Sequence, residues 1–288
     1  MRKDLQNKIK KAIRLIQSAA VGGGYIEVAY SGGKDSDVIL QLAKEAGVNY
    51  RAIYKNTTID PPGTIRHVKE MGAEILMPKA TFFELIRKNG LPNRFTRYCC
   101  RVLKEYKVLD KAIIGIRRSE STKRAARYSE PTQCRYYGAK KPENHVEQIL
   151  PILDWTDEDV LDFITDRNLK LAPVYYDTDG AIHIERRLGC MCCPMISEKK
   201  RVAQFKQYPK MALAYIKAMQ AYREAKPNSA SVLMHDDVYE QFTHDIYYPR
   251  KGKEWTTFKT TLPMYPRFKE FLEEDLGIDL SLNKKCEK

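Results

Sequence analysis

Residues 25–47 contain the feature that most constrains what this chain can fold into. A short apolar run, YIEVAY, is followed by the polar turn SGGKDS and then by a second apolar run, DVILQLAKEAG. The first run has the length and composition of a buried strand, and the second has the spacing of a helix that ends at Gly47. A strand joined to a helix by so short a turn predicts an α/β unit.

The same alternation of strands and helices continues along the chain. Further strands are predicted at 50–56, 74–78 and 111–116, and further helices at 63–72 and 81–90. This pattern predicts an α/β fold with a doubly wound parallel sheet. From about residue 196 long helical stretches replace it. We therefore predict an α/β domain over 1–195 and a mainly helical C-terminal subdomain over 196–288.

The polar turn has the composition of an anion-binding loop. Gly32 and Gly33 allow the backbone to approach phosphate oxygens closely, and the hydroxyl groups of Ser31 and Ser36 can donate hydrogen bonds. The positive end of the helix dipole lies at the same place. The spacing differs from that of the mononucleotide P-loop, Gly-x-x-x-x-Gly-Lys-Ser/Thr. The plain alternative is a structural glycine turn with a solvated lysine.

Lys34 and Asp35 supply the charges of this turn. The Lys34 ammonium can neutralise a phosphate, and the Asp35 carboxylate can bind Mg²⁺ or orient that lysine. The turn resembles the pyrophosphate loop, or PP-loop, of the ATP pyrophosphatase superfamily. The resemblance implies that residues 31–36 bind the phosphates of ATP, that Lys34 and Asp35 are catalytic, and that ATP is cleaved to AMP and pyrophosphate.

The cysteines are grouped in a way that indicates a metal site. Cys99 and Cys100 are adjacent, and Cys190 and Cys193 form a Cys-x-x-Cys pair with Cys192 between them. Soft thiolates prefer zinc or iron–sulfur clusters. Because adjacent cysteines suit a tetrahedral zinc ion poorly, we favour a [4Fe–4S] cluster on Cys99, Cys100, Cys190 and Cys193, with Cys192 as a substitute ligand. Zinc and a metal-free group of core thiols are the alternatives.

Together, the loop and the cysteines resemble the phosphoadenosine phosphosulfate (PAPS) reductase family of that superfamily. The likeness extends over most of residues 25–195. The segment NTTIDPPGTIRHVKEMG, which contains Thr57, resembles the family's nucleotide-framing segment. GIRRSESTKRA resembles the family's sulfonucleotide-binding segment and implies that Arg117, Arg118 and Arg124 contact substrate, as does Thr57. A solvated basic face is the alternative for these arginines.

Two departures from the reductases matter for function. Their nucleophilic cysteine lies in a C-terminal Glu-Cys-Gly-x-His segment, whereas this chain ends in SLNKKCEK with Cys286. Those reductases usually carry a degenerate loop, whereas this loop is intact. Both departures favour an ATP-cleaving member that adenylates an acceptor for sulfur transfer, similar to the enzymes of DNA phosphorothioation or to iron–sulfur tRNA thiolases. The implied cofactors are ATP, Mg²⁺ and a [4Fe–4S] cluster.

Charge and composition indicate the partners. The chain has 50 Lys and Arg against 37 Asp and Glu, a formal charge of +13, which favours polyanions such as nucleotides and nucleic acid. We expect a nucleotide substrate, a nucleic acid or a nucleic-acid-modifying protein as partner, and a sulfur donor such as a cysteine desulfurase. No apolar run is long enough to span a bilayer and the N-terminus has no signal-peptide core. We therefore expect a cytoplasmic protein with no membrane partner.

Two other functions fit parts of the sequence. A sulfonucleotide reductase would release sulfite from APS or PAPS and would use Cys286. A non-catalytic nucleic-acid-binding or regulatory module would use the segment 247–269, where aromatic and basic residues are interleaved. The same segment also fits the core of a helical lobe. The solitary Cys134 is interpreted as a buried structural thiol rather than a redox residue.

Overall fold

A computed structural model describes residues 2–248 and 255–282 of the chain. Cys286, to which the reductase hypothesis assigns the nucleophile, lies outside the described residues. Within the part described, every helix is too short or too polar to cross a bilayer.

One sheet of six strands organises the first part of the chain, in the order β3-β2-β1-β4-β6-β5. The strands are β1 Ile26–Tyr30, β2 Tyr50–Lys55, β3 Glu74–Leu76, β4 Lys111–Ile113, β5 Thr132–Tyr136 and β6 His145–Ile149. All neighbours pair in parallel except β5, which runs antiparallel to β6. The predicted parallel α/β fold is therefore confirmed, with two strands that were not predicted from the sequence, the parallel β6 and the antiparallel edge strand β5.

Helices precede, separate and follow these strands. They are α1 Lys3–Ala19, α2 Lys34–Ala46, α3 Thr64–Glu70, α4 Phe82–Asn89, α5 Tyr98–Leu103, α6 Thr122–Arg127, α7 Asp157–Asp166, α8 Glu198–Gln207, α9 Pro209–Ala225, α10 Ala230–Leu233, α11 Val238–Phe242, α12 Trp255–Phe258 and α13 Phe268–Leu276. A π-helical turn, Thr243–Tyr247, continues α11. The predicted helical C-terminal part is confirmed.

The chain forms two compact units whose boundaries differ from the predicted ones. The first unit contains residues 1–78 and 100–189, and the second contains 79–99 and 190–288. Helix α4 was expected in the α/β domain. It belongs to the second unit because the rings of Phe82 and Phe83 pack edge-on against Tyr215 of α9.

The core of the first unit lies between the sheet and its helices. Apolar residues of α1 at helical spacing, such as Leu5, Ile9 and Ile16, are buried together with Val28 of β1 and Val38 of α2. Packing of this apolar face stabilises α1, since most helix stability in proteins comes from packing of such a face.

The strand order creates a topological switch point at β1 and β4. Chain order runs outward from β1 through β2 to β3 on one side, whereas β4 is the neighbour of β1 on the other. In open sheets of this kind ligands bind outside the carboxyl ends of the strands at the switch point. The turn Ser31–Gly33 follows β1 directly, and Gly115 follows β4.

Asp159 in the first turn of α7 connects this helix to the start of the chain. Its buried carboxylate accepts hydrogen bonds from Arg2 at 2.8 Å, from Lys8 at 2.7 Å and from the Thr156 amide at 2.9 Å. Burial by itself raises the pKa of Asp159, but the bonds from Lys8 and Thr156 lower that pKa below its ordinary value. The charged form of Asp159 therefore stabilises the fold.

Asp159→Asn is expected to lower the free energy of unfolding by about 1–3 kcal/mol at pH 7, because buried donors lose a charged acceptor. A carboxylate whose pKa is lower in the folded than in the unfolded chain stabilises the fold at pH values above its unfolded pKa. This stabilisation is lost as the pH falls through the folded pKa, so the stability difference between the variant and wild type should shrink at pH 3. Urea unfolding at both pH values measures this. Glu158→Gln, at an exposed ion pair with Arg2, is the control; equal losses in the two variants would contradict the assignment.

Candidate active site

The loop Ser31–Ser36 borders a cleft at the switch point, which we call the loop cleft. Its volume is about 300 Å³, and it is lined by the loop, by residues 114–116 after β4, and by side chains that include Arg124, Tyr175 and Arg187. All of these residues belong to the first unit. The cleft therefore occupies the position at which this fold class binds ligands.

Gly32 has the backbone conformation that the turn requires. Its φ of +75° is in the left-handed region, and a Cβ would lie 3.4 Å from Leu188, Thr64 and Val68. A side chain here would be both strained and crowded, so a glycine is needed. Gly33 then caps α2 with extended backbone, which leaves the first amides of the helix at the cleft.

The two serines of the loop hold its shape. The Ser36 hydroxyl donates to the Gly33 carbonyl oxygen at 2.7 Å, and the Ser31 hydroxyl oxygen accepts from the Gly33 amide at 3.4 Å. Both residues line the cleft, as predicted for phosphate-binding groups. Their present bonds make them part of the loop's internal structure, and their role toward a ligand stays a prediction.

The Lys34 side chain is buried at the lining of the loop cleft. Its side chain is only 6% exposed, and its Nζ lies 3.4 Å from Asp35 Oδ2 and 5.7 Å from the centre of the Tyr175 ring. A lysine on a protein surface is normally solvated, whereas this one is buried with the Asp35 carboxylate as its counter-ion. Because Lys34 also lines the loop cleft at a helix N-terminus, its position fits an anionic ligand.

Arg117 is a buried clamp on Asp35. Its side chain is 1% exposed; Nε donates to Asp35 Oδ1 at 2.7 Å and Nη2 donates to Asp157 Oδ1 at 2.7 Å. Burial alone lowers the pKa of Arg117, but the Asp35 and Asp157 carboxylates raise it above its ordinary value. The sequence resemblance implied a substrate contact for Arg117, whereas the structure shows it bound to Asp35.

Asp35 is therefore held between two cations. Arg117 occupies Oδ1 and Lys34 lies beside Oδ2. Of the two roles predicted for Asp35, orientation of Lys34 fits this arrangement, whereas a carboxylate already paired in this way does not fit the role of Mg²⁺ ligand.

Gly115 allows the loop and the end of β4 to come together. A Cβ on Gly115 would lie 2.9 Å from the Asp35 carbonyl oxygen, a distance that real Cβ atoms do not adopt. The sequence analysis noticed Gly115 only as part of the arginine segment. Its role depends on a contact with a residue 80 positions earlier in the chain, which local patterns do not report.

The other predicted substrate residues occupy different places. Arg124 lines the loop cleft and pairs with Glu120. Arg118 donates to the Tyr128 carbonyl oxygen at 2.8 Å and pairs with Asp154.

Thr57 is buried in the turn that follows β2. There its hydroxyl oxygen accepts from the Ile59 amide at 3.4 Å. Arg124 thus lies beside the loop Ser31–Ser36, whereas Arg118 and Thr57 are engaged in neighbouring turns.

Tyr175 is a site residue that the sequence analysis missed. Its buried hydroxyl oxygen accepts from the amides of Lys34 at 3.2 Å and Leu188 at 3.3 Å. Burial raises the pKa of Tyr175 to about 12, so the phenol is neutral at pH 7 and can donate its proton in a hydrogen bond. Tyr175 lies 141 residues from Lys34 in sequence, and no local signal marks it.

The buried carboxylate of Asp37 connects the elements on both sides of the loop. Asp37 in the first turn of α2 accepts a hydrogen bond from the Tyr30 hydroxyl at 2.5 Å and lies 3.0 Å from His67 Nε2 of α3. Burial raises the pKa of Asp37. These contacts connect the last residue of β1 to two helices, so the loop between them is held on both sides.

A second pocket adjoins the loop cleft and is called the side pocket. Its volume is about 220 Å³, and it shares Ala29 and Ser31 with the cleft. Lys55 lies at its base, 3.1 Å from the buried Glu27 carboxylate and 4.7 Å from the Tyr106 ring centre.

The clustered cysteines occur in two segments. Cys99 and Cys100 lie on α5, and Cys190, Cys192 and Cys193 lie in the turn before α8, which we call the cysteine turn. Cys192 has a φ of +53°, the left-handed conformation, and its amide donates to Gln204 at 2.7 Å. Cys134 is exposed on the edge strand β5, so the prediction of a buried thiol is wrong.

Buried polar side chains surround the cysteine turn. Tyr215 lies close to Cys190, Cys192 and Cys193 and is fully buried. Within residues 2–248 and 255–282, its hydroxyl and the Nε of Arg201 are buried polar atoms without a hydrogen-bond partner. Two such donors beside three thiols fit a group that carries acceptor atoms, such as thiolates or sulfides.

Comparison with known proteins identifies the family. The model of the phosphoadenosine phosphosulfate reductase domain matches residues 25–196, which is more than half of the chain. The chain belongs to this family. The match begins at β1 and ends in the cysteine turn, so it includes the loop cleft.

Individual relatives are distant. An uncharacterized protein of Methanocaldococcus jannaschii is 27% identical over 210 residues, which cover 68% of this chain and 48% of the relative, so the match spans about half the length of that relative. Subunit 2 of the sulfate adenylyltransferase of Shewanella halifaxensis is 22% identical, with coverage of 86% of this chain and 90% of the relative. A U34-tRNA thiolase of Methanococcus maripaludis, solved with its [4Fe–4S] cluster, is 16% identical, with a TM-score of 0.40 and coverage of 78% and 81%.

Gly115→Ala is expected to weaken Mg-ATP binding by more than about 10-fold, or about 1.4 kcal/mol, because the added methyl group displaces the first turn of α2. Isothermal titration calorimetry measures the dissociation constant. Gly189→Ala is the matched control, since a Cβ there meets no atom within 4 Å. Similar constants for the two variants would show that the close approach at Gly115 does not position the loop.

Proposed function

We propose that this protein is an ATP pyrophosphatase that adenylates an acceptor for sulfur transfer. The observation that carries the proposal is the intact loop Ser31–Ser36 at the switch point, with the buried Lys34 ammonium beside the first amides of α2. A triphosphate needs this combination of a helix N-terminus, with its dipole, and one fixed cation. The family match supports the assignment to nucleotide-dependent sulfur chemistry.

The proposed reaction has two steps. An acceptor oxygen attacks the α-phosphorus of ATP, the bond between the α-phosphorus and its bridging oxygen breaks, and pyrophosphate leaves with the electron pair. A sulfur nucleophile then displaces AMP from the acceptor. The second step forms a carbon–sulfur or phosphorus–sulfur bond and releases the acceptor oxygen on AMP.

Each residue of the cleft has a role in the first step. Lys34 stabilises the negative charge that develops on the departing pyrophosphate. Asp35 and Arg117 are positioning residues, because they fix the first turn of α2. Tyr175 donates to a phosphate oxygen from its neutral hydroxyl, and Arg124 offers a further cation. Mg²⁺ enters as part of the substrate, Mg-ATP, rather than on Asp35.

We further propose that Cys99, Cys100, Cys190 and Cys193 hold a [4Fe–4S] cluster. The unpartnered Tyr215 hydroxyl beside the cysteine turn supports a group with acceptor atoms there. When bound, the cluster would supply a carrier for sulfide. The protein's own contribution is to orient the thiolates through the left-handed turn at Cys192 and to donate hydrogen bonds from Tyr215 and Arg201.

The acceptor is proposed to be a nucleic acid. The net charge of +13 supports a polyanionic partner. Lys123 and Arg127 are exposed on α6, the helix that also carries Arg124 of the loop cleft. Ion pairs between these side chains and the phosphates of a nucleic acid would hold an acceptor strand beside the α-phosphorus. A sulfur donor such as a cysteine desulfurase would complete the cycle.

The alternative of a non-catalytic nucleic-acid module stays a prediction, since three rings of its segment are buried whereas Tyr265 is 37% exposed. Tyr247, Trp255 and Phe268, from the aromatic and basic segment, are buried at 0%, 1% and 3% exposure. They form part of the core of the second unit, so these rings are not available to stack on bases.

Lys34→Ala is expected to reduce AMP and pyrophosphate release from ATP by about 100-fold or more, because a fixed cation on the leaving group is lost. The assay follows α-labelled ATP with no addition, with tRNA and with plasmid DNA, and stimulation by either polymer identifies the acceptor class. Lys44→Ala, exposed on the same helix, should behave like wild type. ADP and phosphate as products would rule out the proposal, and sulfite release from PAPS that depends on Cys286 would favour the reductase.

Cys190→Ser and Cys193→Ser are each expected to abolish or strongly reduce the iron and sulfide bound after anaerobic reconstitution, because thiolate ligands are lost. Cys134→Ser, on the exposed face of β5, is the control that should keep the brown colour. Visible absorption and iron, sulfide and zinc analysis provide the measurement. A colourless wild-type protein that contains zinc would replace the cluster with the zinc alternative.

A further inference from the structure

Two histidines and an aspartate converge in the second unit, far in sequence from the cysteines. We propose that His235, His244 and Asp245 form a binding site for a divalent transition metal, with zinc as the best chemical match. One ligand atom of each residue lies within 4.8 Å of the others. This inference is independent of the proposed ATP chemistry, because none of the three residues belongs to the first unit.

The three ligand atoms lie close together, with two of the pairs at hydrogen-bond distance. His235 Nε2 lies 2.8 Å from His244 Nδ1, His244 Nδ1 lies 2.7 Å from Asp245 Oδ1, and His235 Nε2 lies 3.9 Å from Asp245 Oδ1. Tetrahedral zinc with bonds of about 2.0–2.2 Å separates its ligands by roughly 3.3 Å. Small side-chain rotations would therefore bring all three atoms to bonding distance.

The two imidazoles are oriented by the atoms around them. His235 Nδ1 lies 2.9 Å from the Ser231 carbonyl oxygen, which can only accept, so Nδ1 carries the proton and Nε2 presents its lone pair. The His244 ring stacks on Trp255, with 4.4 Å between ring centres and 26° between planes. Metal-binding histidines commonly donate their other ring N–H to an acceptor such as a backbone carbonyl oxygen, which fixes the ring orientation. His235 has such an acceptor, and stacking on Trp255 fixes the ring of His244.

The backbone around His244 departs from a regular helix. His244 and Asp245 lie in the π-helical turn Thr243–Tyr247, in which the Tyr248 amide donates to the Thr243 carbonyl oxygen. Such turns are rare and occur frequently at functional sites, because the extra residue redirects neighbouring side chains. Here it allows two consecutive residues, His244 and Asp245, to face the same point.

An open cavity borders the three ligands. It measures about 540 Å³ and is lined by all three and by polar side chains that include Asn89, Asn93 and Gln241, all from the second unit. Three protein ligands with an accessible fourth position are typical of zinc sites that bind water or a small anion, whereas closed structural sites use four protein ligands. The geometry thus assigns an open metal site to this cavity.

The ligand set also distinguishes this site from the cysteines. Imidazole and carboxylate bind Zn²⁺, Co²⁺ and Ni²⁺, whereas thiolates give Co²⁺ intense charge-transfer absorption that nitrogen and oxygen ligands do not give. Cobalt is therefore the probe of choice. A metal on His235, His244 and Asp245 should show d–d bands without thiolate charge transfer.

The test uses the full chain with Cys190→Ser and Cys193→Ser, so that the cysteine turn does not compete for the probe, treated with a chelator and titrated with Co²⁺. We expect one equivalent to bind with d–d absorption, to raise the melting temperature and to be displaced by Zn²⁺. His244→Gln and Asp245→Asn should each weaken binding by more than about 10-fold, since loss of an outer partner alone costs that much. Two variants, checked by circular dichroism, separate loss of a ligand from loss of folding.

His183→Gln is the matched control. His183 also contacts two carboxylates, Asp177 at 2.7 Å and Glu185 at 2.8 Å, but these lie on opposite ring nitrogens at the surface of the first unit. This variant, made in the same chain with Cys190→Ser and Cys193→Ser, should bind Co²⁺ like its parent. Absence of Co²⁺ binding to that parent, thiolate charge-transfer bands on binding, or unchanged affinity in the His244 and Asp245 variants would each overturn the proposal.

Discussion

The buried ion pair between Arg117 and Asp35 is the interaction on which the loop cleft depends. Arg117 follows β4, Asp35 lies in the first turn of α2, and the same guanidinium also binds Asp157 at the start of α7. Loss of one partner of a buried pair leaves an uncompensated charge, at a cost of about 3–5 kcal/mol. One side chain therefore fixes three element ends against each other, and Gly115 is the residue that permits the resulting short distance to the Asp35 backbone.

This arrangement changes how the positive charge of the cleft is understood. Arg117 neutralises Asp35, and both Arg124 and Arg187 face Glu120. None of these arginines offers an uncommitted charge to a ligand. A triphosphate would therefore depend first on the amides and dipole of α2 and on Lys34, and would then have to compete with Glu120 for the arginines. Under the proposed function, this competition would favour a highly charged phosphate tail over a weaker anion.

The sequence predicted the parts of the site that are local in the chain. The strand, the glycine turn and α2 lie within 22 residues, so hydrophobic periodicity and the helix stop signal at Gly47 suffice. Tyr175, Gly115 and the clamp role of Arg117 depend on contacts across 80 to 141 residues, which no local rule encodes. The short antiparallel strand β5 was missed for a similar reason, since its half-exposed residues carry a weak pattern.

The second unit contains two sets of candidate metal ligands that differ in chemistry. The cysteine turn offers soft thiolates beside unpartnered donors, and the π-helical turn offers imidazole and carboxylate beside an open cavity. Iron–sulfur clusters require the former, and a metal that must exchange water or an anion favours the latter. Iron and zinc in the same preparation would then belong to different sites rather than compete for one. Because the two ligand sets share no residue, removal of thiolates should leave the histidine site able to bind Co²⁺, and the two metal contents should vary independently.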